Sequence, residues 1–391
     1  MCRWIVLALC ALLGACAQVG GLAPPPAALF DDAAFAPPER PVDPAAVFAV
    51  SPAMRAYLAE RVAPEVRAHG LPRGLIDALY TNRQLNLAYD AESTRNAAET
   101  FDARAGNCLS LAILTGALAR ELGLEVRYQA ITLDDSWGRE GNLLMSVGHV
   151  NVSVGRDVGM ARSAAFSPDW WTVDFLPEPQ RRNQRTVPIE EARLVAMYLN
   201  NKAAEALAGG RTGEAYAWVR AAINADPAYD DAYNTLGVVY QRHGLPLAAE
   251  RALRHTLARA PEHPHALGNL IPVLRQLGRP DEADAASARL AALRTRTPFA
   301  AFDRGRQAMA QGDYRLAKAQ FERALGGSLG YHEFHFWLAL AHLNLGETEP
   351  AITHLRQAEE NSSTGRQRAL YAAKLERLQG GAGAPALSGV R

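Results

Sequence analysis

The chain has 391 residues, and its 41 lysine and arginine residues balance its 41 aspartate and glutamate residues, so the formal net charge is zero. This balance predicts no nucleic-acid partner and no attraction to an anionic surface. A chain of this length buries a large core without disulfide cross-links, and beyond its N-terminus no segment is apolar enough to span a bilayer.

The first fifteen residues are typical of an export signal. Arg3 supplies a positive charge, and the apolar stretch 4–13 is too short for a membrane span. The signal ends in LGAC at 13–16, which resembles a bacterial lipobox. The resemblance implies cleavage before Cys16, lipidation of that cysteine and, because Ala17 follows it, a periplasmic position at the outer membrane of the bacterial cell envelope. The alternative is an ordinary signal peptide with an incidental cysteine.

Residues 16–50 form a segment rich in proline and alanine, with PPP at 24–26 and PP at 37–38. A segment of this composition builds no core and is predicted to be extended. Its roughly 34 residues reach at most about 110 Å when fully stretched. We therefore expect a tether between the lipid and the folded part of the chain.

Residues 51–195 carry a mixed α/β pattern. Helices are predicted over 54–69, 74–89 (as one helix or two short ones) and 108–122, and strands over 125–133, 149–155 and 171–176. The run HVNVSVG at 149–155 alternates cleanly, which places its three valines on one face. The pattern predicts a helix packed against an antiparallel sheet.

Cys108, in the run AGNCLSLA, is the one cysteine that remains for the folded part of the chain. Cys2 and Cys10 lie in the export signal, and Cys16 is assigned to the lipid. Cys108 opens an apolar helix directly after a turn, and a helix N-terminus stabilises a thiolate. The alternative for a lone cysteine is an inert position in the core.

A thiol nucleophile needs a base within hydrogen-bond reach and usually a third group that orients the base. His149 opens a strand, whereas His69, the other histidine of this region, lies in a turn remote from any strand. Asp174 lies in the apolar run TVDFL, where a carboxylate is costly unless it is paired. Asp157 and Asp169 lie in turn-like contexts and are weaker candidates. A structurally satisfied histidine and a loop-pairing aspartate are the alternatives.

This order of residues resembles the transglutaminase-like fold, which shares the order Cys-His-Asp with papain-like enzymes. The resemblance rests on the runs GNCLSLAILTGALARELGLEVRYQAI, GHVNV and VDF, and it covers about residues 90–180. It implies an α+β domain in which Cys108 is the nucleophile, His149 the base and Asp174 the orienting group.

Two insertions, 134–147 and 156–169, depart from the family pattern and are placed to shape or cover a cleft. The backbone amide of Cys108 is predicted to be one oxyanion donor, and Gln84 or Asn86 another. The sequence has no glycine-rich phosphate loop, so no cofactor is predicted. The pairs His263/His265 and His332/His335 lack clustered cysteines or carboxylates, so they are predicted to be polar surface positions, and no metal site is expected.

The rest of the chain repeats with a period of 34 residues. The repeat is marked by the glycines Gly210, Gly244, Gly278, Gly312 and Gly346, each followed five residues later by Ala215, Ala249, Ala283, Ala317 and Ala351. This spacing predicts five tetratricopeptide repeats over 196–364, an all-α solenoid. In the third repeat Pro272 predicts a loosened or kinked helix. Residues 365–379 are predicted to form a capping helix, and 380–391 a disordered tail.

Together these features predict a membrane-tethered, transglutaminase-like cysteine hydrolase or acyl transferase. It would act on a protein or peptide amide, and the repeats would bind the partner. The alternative is a catalytically inactive envelope adaptor that binds protein partners through its repeats. A third possibility is an envelope-assembly factor that uses the three residues only for processing.

Overall fold

The computed structural model describes residues 25–81, 85–91, 93–132, 137–140, 143–146, 149–156, 170–175, 185–294, 298–327, 331–362 and 365–379. The predicted export signal (1–15), the predicted lipidation site Cys16, the predicted tail (380–391) and Gln84 lie outside these residues. In the part of the chain that is described, no helix combines the length and the apolarity needed to cross a bilayer.

The N-terminal domain begins with helices. They are α1 (Pro52–Tyr57), α2 (Ala63–His69), α3 (Leu71–Ile76) and α4 (Ala97–Ala103). A π-helical turn (Leu58–Val62) joins α1 to α2, which confirms the helix predicted over 54–69. The helix predicted over 74–89 is wrong at its end. A π-helical turn (Asp77–Thr81) comes first, and Asn86 then adopts a left-handed conformation with φ of 49°, which an α-helix does not accommodate. The chain continues as β1 (Ala88–Tyr89), which pairs in parallel with β2 (Ala105–Gly106).

Helix α5 (Cys108–Glu121) packs against an antiparallel sheet with the strand order β7-β6-β3-β8. The strands are β3 (Glu125–Thr132), β6 (His149–Gly155), β7 (Trp171–Val173) and β8 (Arg185–Ile189). The register of β3 and β6 places Ile131 opposite His149. The valines of β6 are fully buried, as the alternation predicts, and its four other residues are buried too. The predicted helix on an antiparallel sheet is confirmed.

The insertion at 134–147 contains a hairpin of β4 (Trp137–Glu140) and β5 (Leu143–Ser146). Residues 157–169, nearly all of the second insertion, lie outside the described residues.

Eleven helices of the described chain follow the sheet. They are α6 (Glu191–Ala208), α7 (Thr212–Ala225), α8 (Asp230–Arg242), α9 (Pro246–Arg259), α10 (Pro264–Gln276), α11 (Pro280–Arg294), α12 (Pro298–Ala310), α13 (Tyr314–Gly327), α14 (His332–Asn344), α15 (Thr348–Glu360) and α16 (Gly365–Gln379). The first ten pair into five helical hairpins, and α16 packs on α15 as the predicted cap.

The spacing of the repeat glycines and alanines has a direct structural cause. All five repeat glycines lie in the left-handed region, with φ between 73° and 84°, so each reverses the chain between two helices without steric cost. All five alanines that follow are fully buried. In the third repeat, α10 runs through Pro272 without interruption. Buried Val273 and Leu274 hold that turn in place, because tertiary packing stabilises a helix more than propensity does.

Glycine is also required where paired helices approach closely. A Cβ at Gly237 would lie 2.6 Å from Leu253 Cγ, whereas one at Gly268 would lie 3.7 Å from Leu290 Cδ2, an ordinary contact. We expect Gly237→Ala to lower the free energy of unfolding by about 1 kcal/mol, because overpacking exceeds the gain in helix propensity. Gly268→Ala should raise it by about 0.5–1 kcal/mol. Urea denaturation measures the change in the free energy of unfolding for both variants. Changes of the same sign in the two variants would contradict the packing argument.

Residues 25–50 do not form the extended tether that the composition predicts. They contain short 3₁₀ turns at Ala27–Leu29, Asp32–Ala34 and Pro44–Phe48. Leu29 and Phe35 are 8% exposed and Val47 is 1% exposed. The prediction is wrong for this stretch because a few apolar side chains among the prolines and alanines pack on the folded part of the chain. The predicted boundary at 195/196 likewise falls inside the continuous helix α6.

Candidate active site

The first turn of α5 holds Cys108 in place. Asn107 caps the helix: its Oδ1 accepts hydrogen bonds from the Ser110 N–H (2.9 Å) and the Ser110 hydroxyl (3.0 Å). This cap fixes the backbone at Cys108 and leaves the thiol at the positive end of the helix dipole. Cys108 is the free cysteine of the described residues.

Thr94 links this cap to the first repeat. Its hydroxyl oxygen accepts hydrogen bonds from Asn107 Nδ2 (3.0 Å) and from Asn201 Nδ2 (3.2 Å) of α6. Its backbone N–H donates to Glu205 Oε1, also on α6, at 2.7 Å. The N-terminus of the cysteine helix therefore rests partly on the repeat array, a connection that the sequence does not reveal.

His149 and Asp174 meet at the ends of two neighbouring strands. His149 opens β6 and is 2% exposed, and its Nε2 lies 2.8 Å from Asp174 Oδ1. The register pairs Val152 with Val173, so β7 ends one residue before Asp174. The prediction that Asp174 lies inside the strand is wrong by one residue, since the carboxylate follows the strand and turns towards the imidazole.

The Cys108 thiol and the His149 imidazole also interact, since each group shifts the pKa of the other. Because Nε2 faces Asp174, Nδ1 is the ring nitrogen that is left for the thiol. The structure thus brings Cys108, His149 and Asp174 together in the order thiol, imidazole, carboxylate.

These contacts shift both titrations in the direction of an ion pair. Burial opposes charge on either group. For the thiol, hydrogen bonds from His149 and from the backbone amides of Val150 and Leu109 outweigh burial and lower the pKa of Cys108 below its usual value of 9.0. For the imidazole, the hydrogen bonds with Asp174 and Cys108 outweigh burial and raise the pKa of His149 to about 9. Both shifts favour the thiolate–imidazolium pair over the neutral pair.

We expect Asp174→Asn to lower the pKa of His149 by about 1–3 units, because an amide does not stabilise the imidazolium as a carboxylate does. NMR titration of the ring protons measures this shift. The matched control is Asp231→Asn, which alters an aspartate–histidine pair (Asp231 Oδ1 to His263 Nε2, 2.9 Å) in the second and third repeats. An unchanged His149 titration in Asp174→Asn would contradict the assigned contact.

Tyr89 is a neighbour of the cysteine. Burial is the largest cause that raises the pKa of Tyr89, and the charge of Cys108 raises it further. Sequence reasoning missed this proximity, because β1 is only two residues long and has no periodicity to read.

A cavity of about 250 Å³ is lined by Leu79, Tyr80, Asn86 and Leu87. The Tyr80 hydroxyl lies 2.5 Å from Thr115 Oγ1 on α5, and its ring packs edge-on against Phe175 at 5.7 Å. The cavity thus adjoins both the cysteine helix and the strand end that carries Asp174.

The repeat histidines differ from expectation. His332 and His335 are 7% and 6% exposed, so the prediction of surface positions is wrong for this pair. His332 Nδ1 lies 2.8 Å from the Tyr371 hydroxyl of the capping helix, which explains its burial. Within the described ranges, no group of three or more histidine, cysteine, aspartate or glutamate side chains is arranged to hold a metal ion.

Comparison with known families agrees with the two parts of the fold. Residues 60–167 match the model of the transglutaminase-like superfamily, a range that includes Cys108 and His149 and ends before Asp174. Residues 234–301 and 302–366 match the tetratricopeptide repeat model. The chain therefore combines a transglutaminase-like domain with tetratricopeptide repeats, as predicted. No curated protein matches the sequence.

Three solved structures similar to this chain each cover less than half of it. TTC0263, a repeat protein of Thermus thermophilus, is 20% identical, with 46% of this chain and 98% of that chain covered and a TM-score of 0.28. The type IV pilus biogenesis factor PilW is 22% identical, with 48% and 86% covered and a TM-score of 0.27. MamA is 20% identical, with 45% and 94% covered and a TM-score of 0.24.

Proposed function

We propose that this chain is a cysteine hydrolase or acyl transferase that acts on a protein or peptide amide. The observation that carries the proposal is the convergence of Cys108, His149 and Asp174: His149 Nε2 lies 2.8 Å from Asp174 Oδ1, and the imidazole and the thiol each shift the pKa of the other. A thiol, a base and an orienting carboxylate in this arrangement are the requirements for nucleophilic catalysis.

In the first half-reaction the Cys108 thiolate attacks the amide carbonyl carbon and forms a C–S bond. The His149 imidazolium gives its proton to the leaving nitrogen as the C–N bond breaks, so an amine departs and a thioester remains. In the second half-reaction neutral His149 takes a proton from water or an amine, which attacks the thioester. The C–S bond then breaks, and the thiolate and the imidazolium are restored.

Trapping the thioester tests this proposal. Activity-based thiol labelling and mass spectrometry of the intact protein, incubated with envelope peptides, should yield an acyl adduct on Cys108. The control is Cys108→Ala, which keeps the fold and removes the sulfur. An acyl adduct on another residue would contradict the reaction. So would a Cys108 thiol that reacts with the label but never carries an acyl adduct.

We further propose that the chain is lipidated at Cys16 and held at the periplasmic face of the outer membrane. The lipobox-like run at 13–16 and Ala17 support this position. Several acyl chains on one cysteine give a stable anchor. Metabolic labelling with palmitate should mark the intact chain and not Cys16→Ser, and equal labelling of both would contradict the assignment.

A second candidate function is a catalytically inactive envelope adaptor. The observation that favours it is the repeat array, whose ten paired helices span residues 191–360, since such arrays present extended binding surfaces. The repeats support a protein-binding role in either case. Full cellular function of Cys108→Ala would favour the adaptor over the enzyme.

A further inference from the structure

Residues 29–35, with the sequence LFDDAAF, lie along the first two repeats as a bound peptide would. The Phe35 ring stacks on the Tyr216 ring with centroids 4.1 Å apart and planes 5° apart. It also contacts the rings of Tyr240 (5.8 Å) and His243 (4.2 Å). Three aromatic rings from α7, α8 and the turn after α8 therefore form a pocket for one phenylalanine.

Hydrogen bonds from the same receptor residues engage the backbone of the segment. The Asp31 N–H donates to the hydroxyl oxygens of Tyr216 (3.1 Å) and Tyr240 (3.0 Å). The Tyr240 hydroxyl donates to the Leu29 carbonyl at 2.7 Å, and His243 Nε2 lies 3.0 Å from the Ala34 carbonyl. Backbone contacts of this kind hold a peptide in one register.

A charged contact recognises the side chain of Asp32, which lies between Phe30 and Phe35. The Asp32 carboxylate accepts hydrogen bonds from the Tyr216 hydroxyl at 2.7 Å and from the Arg220 guanidinium. The Arg220 guanidinium also lies 4.7 Å from the centre of the Phe30 ring. The receptor thus recognises the pattern Phe-x-Asp-x-x-Phe by one cation, two hydroxyls and an aromatic pocket.

The segment has the properties of a separable ligand. Prolines at 24–26 and 37–38 bracket it, and proline-rich flanks are stiff and lose little entropy on docking. The chain packs again at Val47, which is 1% exposed, so a connection of about eleven residues keeps the segment near its receptor. A short linker of this kind gives an effective concentration of about a millimolar.

We propose that Tyr216, Arg220, Tyr240 and His243 form a binding site for acidic–aromatic peptides of the pattern Phe-x-Asp-x-x-Phe, and that residues 29–35 occupy this site in cis. A partner that carries the pattern competes with the resident segment. The proposal rests on the partner-binding role proposed for the repeats and gives that role a ligand class. It is independent of Cys108.

The test uses the full chain with the segment weakened by Phe35→Ala and Asp32→Asn, and a fluorescein-labelled peptide of residues 26–36 as the probe. Fluorescence anisotropy should show saturable binding to this opened variant. The unaltered chain should need about tenfold more protein, because its own segment competes at high effective concentration. Adding Tyr216→Phe to the opened variant, which keeps the ring and removes its hydroxyl, should weaken binding about tenfold.

Three results would overturn the proposal. If the opened variant fails to bind the probe although its circular dichroism and melting match those of the unaltered chain, the four residues form no peptide site. If the unaltered chain binds the probe as tightly as the opened variant does, residues 29–35 do not occupy the site. If probe peptides with Phe35→Ala or Asp32→Asn bind as tightly as the original probe, the site does not recognise the pattern Phe-x-Asp-x-x-Phe. Hydrogen exchange of the Asp31 amide tests the docking of residues 29–35 in the unaltered chain, where the segment has not been weakened. We expect this amide to be protected from exchange, and Arg220→Ala should reduce the protection.

Discussion

Replacing His149 with alanine should give Cys108 the pH profile of an ordinary thiol. In the unaltered chain the alkylation rate with iodoacetamide should rise less steeply between pH 6 and 8 than in the variant. Although burial opposes charge on both groups, the contacts with His149 lower the pKa of Cys108, and the imidazole, whose pKa is raised to about 9, stays protonated over this range, so more of the thiol is thiolate at pH 6 than in the variant. In the variant the thiolate fraction should rise about tenfold per pH unit, hence about 100-fold over the two units.

The pH profile is a better readout than a single rate, since a thiolate of lower pKa is also intrinsically less nucleophilic. The matched control is His69→Ala, which removes the other histidine of the domain, on α2, whose Nδ1 lies 3.4 Å from Glu65. That variant should keep the shallower profile of the unaltered chain. Equally steep profiles in the unaltered chain and in His149→Ala would show that His149 does not stabilise the thiolate.

Gly116→Ala should lower the free energy of unfolding by about 2 kcal/mol. Gly116 lies on α5 where the helix meets β3, and a Cβ there would lie 2.1 Å from the Tyr128 hydroxyl. Tyr128 is 3% exposed, so its ring has no free space into which to move. The overpacking cost exceeds the gain in helix propensity of about 1 kcal/mol. Urea denaturation measures the difference.

A double-mutant cycle identifies the clash. Tyr128→Phe alone removes the oxygen that accepts a hydrogen bond from Arg120 Nη2 at 3.3 Å, a loss of about 0.5–1.5 kcal/mol. Combined with Gly116→Ala it also removes the atom that the new methyl group meets. The double variant should therefore be more stable than the sum of the single changes predicts. Strict additivity would place the cost of Gly116→Ala elsewhere.

The sequence predicts most where one residue type has one physical reason to recur. A glycine every 34 residues is readable because each turn needs a left-handed backbone, which glycine adopts without strain. Cys108 and His149 are readable because each opens an element that the sequence marks clearly, a continuous apolar run for α5 and a clean alternation for β6. Asp174 stands out as a carboxylate among apolar neighbours, although the strand ends one residue earlier than its pattern suggests.

The sequence predicts least where the reason for a residue lies far away along the chain. Phe35 is an isolated apolar residue among prolines and alanines, and its local context predicts an extended tether although its side chain is buried. The neighbouring Asp31 meets Tyr216, which lies 185 residues later. Thr94 likewise acquires its role from Asn201, 107 residues later. No local pattern encodes either contact.

The link from α6 through Thr94 to Asn107 bears on how this protein can be divided. A gene fragment cut at residue 195 keeps Leu194 but discards Asn201 and Glu205, so Thr94 loses two of the groups that hold it. The two families recognisable in the sequence are thus joined by side-chain contacts as well as by the chain, because α6 belongs to the first repeat and also holds Thr94, which supports the cap of α5. A fragment designed to keep this cap intact has to retain α6.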